Sequence, residues 1–68
     1  MKSDEIDKLI KSGSIHISHA YYCDGPVLVH RADISNMANA LINATSSVAE
    51  QRGIALLALA LGCNVVSR

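Results

Sequence analysis

Ile54-Ala55-Leu56-Leu57-Ala58-Leu59-Ala60-Leu61, set between Gly53 and Gly62, is the longest uninterrupted apolar run in the chain. Eight residues fall far short of the roughly 20 that cross a bilayer, so the run predicts a buried helix over 53–61 and no membrane anchor. Ala and Leu occupy every side of it, and a helix apolar all round must be covered all round. Ile54, Leu57 and Leu61 form one aliphatic ridge and Leu56 and Leu59 another, while Ala55, Ala58 and Gly62 leave an edge that a second helix backbone can approach. One ridge serves a sheet. The other calls for a second chain, which makes Ile54, Leu56, Leu57, Leu59 and Leu61 the expected interface of an isologous dimer or a ring. Gly62 ends the helix, and Asn64-Val65-Val66-Ser67 predicts a closing strand.

Upstream, Asp33 is placed to cap a helix in which Ile34, Met37, Leu41, Ala44 and Val48 recur at three- and four-residue steps, an amphipathic stripe. Ser47-Val48-Ala49-Glu50 fits a capping box, so a break is expected around Thr45 to Ser47. Val27-Leu28-Val29-His30 is a β-branched run that predicts a strand. Before it, Ile15, Ile17, His19, Tyr21 and Cys23 alternate with His16, Ser18, Ala20 and Tyr22, the period of a strand. Asp24-Gly25 signals the turn joining these two strands into a hairpin, and Pro26, lacking an N–H, favours a four-residue loop. Ser3, Asp4 and Glu5 head a first helix over 4–11, carrying Ile6, Leu9 and Ile10 and stopped by Gly13. The fold class is α+β: one domain over 1–68, a small β-hairpin or sheet packed on helices, with an apolar C-terminal helix.

Only one small domain fits in 68 residues. Half of the chain is apolar, yet nine of those residues are Ala and the only aromatic ones are Tyr21 and Tyr22. Ordering such a chain costs on the order of 100 kcal/mol, which short aliphatic side chains barely offset. Help from a partner copy is expected. Nine of the twelve charges lie in the first 33 residues, and the formal net charge is zero. That balance argues against nucleic acid, since no basic field attracts phosphates. Two cysteines, Cys23 and Cys63, are too few for a secreted disulfide framework, and the charged start carries no signal region. A cytoplasmic protein with reduced thiols is expected.

His16, His19, Cys23, His30 and Cys63 have the chemistry of zinc ligands but not the spacing. His16 and His19 fall on opposite strand faces, and His19 and Cys23 lie roughly 13 Å apart along a strand. No metal and no cofactor is expected. One pair remains: if Tyr22 pairs with Val27, His19 lies across from His30, as two half-exposed histidines or a proton-sensitive contact. No phosphate loop, H-E-x-x-H or paired-carboxylate motif occurs, and neither cysteine has an assigned base, so an enzyme is not expected. Asn36, Asn39 and Asn43 share one helix face, where a merely solvated surface would use Lys, Glu or Gln. With His30, Arg31 and the helix N-terminus nearby, they form the expected binding site for a small anionic, nucleotide-like ligand.

The expected function is that of a non-enzymatic, homo-oligomeric binding module, presenting this face or an intersubunit groove to a small anion or a partner protein. Tiny oligomers of this type include accessory, sequestering or inhibitory factors, phage-type ones among them, an analogy of size alone. A structural subunit of a larger complex is one alternative. The other is a DNA-binding regulator, because Val27 to Arg31 followed by two helices resembles the ribbon-helix-helix layout. That resemblance implies a strand laid in the major groove, whereas Val-Leu-Val-His-Arg offers few of the basic or amide side chains such a strand uses.

Overall fold

The computed structural model describes residues 3–19 and 31–68. Helix α1 spans Ser3–Ser12, with Asp4 and Glu5 in its first turn and Lys11 in its last, each complementing the helix dipole. It stops at Gly13, whose φ of 73° lies in the left-handed region that glycine enters without strain. Strand β1, Ile15–His19, follows, and its side chains alternate between buried and partly exposed as period two requires. Helix α2 spans Arg31–Ala44, helix α3 Val48–Ala60 and strand β2 Cys63–Ser67.

β1 and β2 form a two-stranded antiparallel sheet, running from Ile15 opposite Ser67 to His19 opposite Cys63. The ladder extends one pair further, where the Arg68 amide donates to the Ser14 carbonyl at 2.6 Å. Ile15, Ile17, Cys63 and Val65 turn one face of this sheet to the helices. Ile6 and Ile10 of α1, Ala38 and Ile42 of α2 and Ala55 and Ala58 of α3 meet it there and complete the core. The architecture is therefore α+β, a small sheet packed on three helices, as the sequence predicts.

The expected break between two helices falls at residues 45–47, and its chemistry is a modified capping box. The Glu50 amide donates to Ser47 Oγ at 3.3 Å. Glu50 does not reach back to the Ser47 amide. Thr45 intervenes: its hydroxyl donates to the Glu50 carboxylate at 2.5 Å and accepts from the Ser47 amide at 3.2 Å. Gln51 closes the end of α2 from the other side, its side-chain amide donating to the carbonyls of Ile42 and Thr45 at 3.1 and 2.9 Å. Replacing Ser47 with Ala removes the N-cap acceptor. A thermal melt is expected to show a loss of about 1 kcal/mol, which in a domain of this size lowers Tm by about 4–8 °C.

Three expectations change. Asp33 does not cap α2. The helix already begins at Arg31, and Asp33 stands in its first turn, where its charge complements the dipole. The stripe Ile34, Met37, Leu41, Ala44 and Val48 is not the buried face. α2 sets the small Ser35 and Ala38, with Ile42, against the core, while Met37, Leu41 and Ala44 are exposed and Val48 belongs to α3. The apolar segment predicted to start at Gly53 is the second half of a helix whose first turns carry Glu50, Gln51 and Arg52. Arg52 ties α3 to α1 through a 2.7 Å ion pair with Asp7. The Asp24-Gly25 turn, the Val27–His30 strand and the continuation of β1 to Cys23 lie outside the described residues.

Candidate functional site

Small side chains on both α2 and α3 create an apolar concavity on the described surface. Ala38 and Ala58, both buried, form its floor, because neither has the bulk to fill the space between the helices. Ile34, Met37 and Leu41 rise on the α2 side, and Ile54, Leu57 and Leu61 on the α3 side. The result is an open groove of about 150 Å³ with no charged residue among the described residues of its lining. Its walls are strongly exposed: Met37 60%, Leu41 50%, Leu57 63% and Leu61 50%. Single exposed leucines are ordinary, but four large apolar side chains around one depression make a contiguous patch.

The five residues expected at an oligomer interface divide here. Leu56, Leu57 and Leu61 are exposed, and Leu57 and Leu61 form one wall of the groove. Leu59 and Ile54 pack against the core, Ile54 also edging the groove. Met37 and Leu41, members of the amphipathic stripe, join them from α2. Their spacing was visible in the sequence, but the side of α2 that faces the sheet was not.

The asparagine face divides as well. Asn39 turns toward the sheet and grips β1: the Ile17 amide donates to Asn39 Oδ1 at 2.8 Å, and Asn39 Nδ2 donates to the Ile17 carbonyl at 2.9 Å. Its side chain thus pairs with the strand edge as a neighbouring strand would. Asn36 and Asn43 remain exposed on α2. Asn43 borders a separate polar hollow of about 190 Å³, shared with Thr45, Gln51 and Arg68. Arg31 is the first residue of α2, and His30 lies outside the described residues.

His19 stands opposite Cys63 in the sheet register. The buried Ser35 hydroxyl donates to the Ala32 carbonyl at 2.9 Å, leaving its oxygen to face His19 Nδ1 at 3.5 Å. Among the described residues, no three His, Cys, Asp or Glu side chains are grouped to hold a metal ion, and no helix is long and apolar enough to cross a membrane. The geometry that these residues do offer is a hydrophobic surface without a reactive group on it. No protein-family model, curated protein or solved structure matches this chain.

Proposed function

We propose that this chain is a non-enzymatic binding module that works by docking the apolar α2–α3 face onto protein. The exposure of Met37, Leu41, Leu57 and Leu61 around one uncharged groove carries this reading. Fully burying a Leu or Met side chain contributes about 1.5–3 kcal/mol, so covering the exposed halves of these four contributes about 3–6 kcal/mol from this side. With a similar contribution from the partner's side, this offsets much of the roughly 4–15 kcal/mol that docking costs, which suits a weak, reversible association. Groups that would bind a small anion are missing from the groove, whereas a partner helix or a flat apolar surface suits it.

Radical footprinting tests this in living cells. Met37 and Leu57 are expected to be oxidised several-fold less in the cell than in dilute purified protein, with Val66, an exposed residue of β2, as the unchanged reference. Equal oxidation of Met37 and Leu57 in both settings would sink the proposal.

A further inference from the structure

We propose that the polar hollow between α1, β1 and the end of α2 binds a small molecule carrying a primary carboxamide at one end and a carboxylate at the other. The site is separate from the apolar α2–α3 face and does not depend on its role.

The hollow lies at the third rung of a ladder between α2 and β1. Four residues of helix rise about 6 Å, close to the roughly 6.7 Å covered by two residues of strand, so side chains spaced by four on α2 meet alternate residues of β1. Ser35 faces His19 at 3.5 Å, and Asn39, four residues on, holds Ile17 through two hydrogen bonds. Asn43 is next in the series and Ile15 is its counterpart. Both line the hollow, and no hydrogen bond joins them.

Register aims the backbone of Ile15 at this space. The Arg68 amide bonds to the Ser14 carbonyl, so Ser14, His16 and Ser18 make the ladder to β2, while Ile15 and Ile17 point their N–H and C=O groups away from it. Asn39 takes the pair on Ile17. The pair on Ile15, a residue 5% exposed, has no hydrogen-bond partner among the described residues. Buried backbone groups call for partners, and a carboxamide satisfies both at once, as the Asn39 side chain does one rung along.

The other lining groups select the rest of the ligand. Gln51 Nε2 gives its two protons to the Ile42 and Thr45 carbonyls, which leaves Oε1, an acceptor. With the Ile15 carbonyl that makes two acceptors, which match the two N–H groups of a primary amide and repel a bare carboxylate. Arg68 is the ionisable residue of the lining and has no ion pair among the described residues, so its guanidinium is available to a carboxylate. Ile10 and Ile42, both buried, suit the methylenes between the two ends. At about 190 Å³ the hollow is smaller than the roughly 300–1,000 Å³ of sites for drug-sized ligands, which limits the ligand to a few carbons.

Titration of succinamate into the isotope-labelled full chain, followed by nuclear magnetic resonance, tests this. The Ile15 backbone amide and the Asn43 side-chain amide are expected to shift saturably, with a dissociation constant on the order of 1 mM for so small a ligand. Succinate, which lacks the amide, and butyramide, which lacks the carboxylate, are each expected to bind at least about 5-fold more weakly. Arg68 and Asn43 are exposed, so Arg68→Gln and Asn43→Leu are expected to keep the wild-type far-ultraviolet spectrum. Arg68→Gln removes the advantage of succinamate over butyramide, and Asn43→Leu weakens succinamate about 5-fold. Asn36→Leu, at an exposed asparagine outside the hollow, leaves binding intact. No saturable shift at Ile15 up to about 50 mM, or equal binding of succinate and succinamate, overturns the proposal. So does an Arg68→Gln variant with wild-type affinity and selectivity.

Discussion

Replacing Asn39 with alanine is expected to unfold the domain or bring it to the edge of unfolding. The Ile17 residue is 1% exposed, so neither its amide nor its carbonyl has water to turn to once the Asn39 side chain is gone. Leaving a buried backbone group unpaired costs about 1–3 kcal/mol, and the substitution leaves two, for a loss of about 2–6 kcal/mol. A 68-residue domain has a total stability of about 3–10 kcal/mol, so the loss is a large share of the whole. Urea titration followed by far-ultraviolet circular dichroism measures it. A loss under about 0.5 kcal/mol, the level of an ordinary surface change, would mean that the two bonds contribute nothing.

Asn39→Asp separates the two bonds. An ionised carboxylate still accepts from the Ile17 amide but sets negative charge against the Ile17 carbonyl. The protonated acid restores a donor. The folded state therefore favours the protonated form and raises the carboxyl pKa above its unfolded value. Stability from this source is fully present below the unfolded pKa and disappears as pH rises through the folded one. The variant is expected to gain stability relative to wild type as pH falls toward about 4, the unfolded carboxyl value, with no further gain below it. A pH-independent difference between Asn39→Asp and wild type would leave the donor bond without a role.

Ile6→Ala is expected to be as damaging. Ile6 is wholly buried and is the innermost contact of α1 with the rest of the core. Truncation of a buried Ile to Ala costs about 2–5 kcal/mol, and helix α1, at ten residues, is too short to persist without its packing. Loss of cooperative thermal unfolding is the expected observation. A melting curve matching wild type would show α1 to be dispensable. The comparison with Leu57 is instructive: residues of the same class stand on opposite sides of the division between holding the fold and covering its surface.

Much of this structure was legible in local sequence patterns. Ser3 to Gly13 carries its own helix start and stop, Ile15 to His19 its own alternation, and Thr45 to Glu50 its own interruption, each decided by neighbours within a few residues. Strand partnership was not legible, because the pairing of His19 with Cys63 joins positions far apart in the chain. Asn39 shows the same limit within one helix. On a helical wheel it lies about 60° from Asn36 and about 60° from Ile42, equally close to the wet side and the core. Position along the helix could not choose between them. The backbone of β1 did, by presenting an unpaired amide and carbonyl that an asparagine side chain fits. The same ambiguity holds for the stripe through Met37 and Leu41, which stays exposed while Ser35, Ala38 and Ile42 are buried.

The order of β1 and β2 also has a consequence during synthesis. All three helices leave the ribosome before residues 63–67, so Ile6, Ile17, Ala38 and Ala55 emerge with no completed sheet to close over them. Until that strand arrives, helices of this length lack the packing that lets them persist. Acquisition of the native structure is delayed until the last strand is free to reach back to the first.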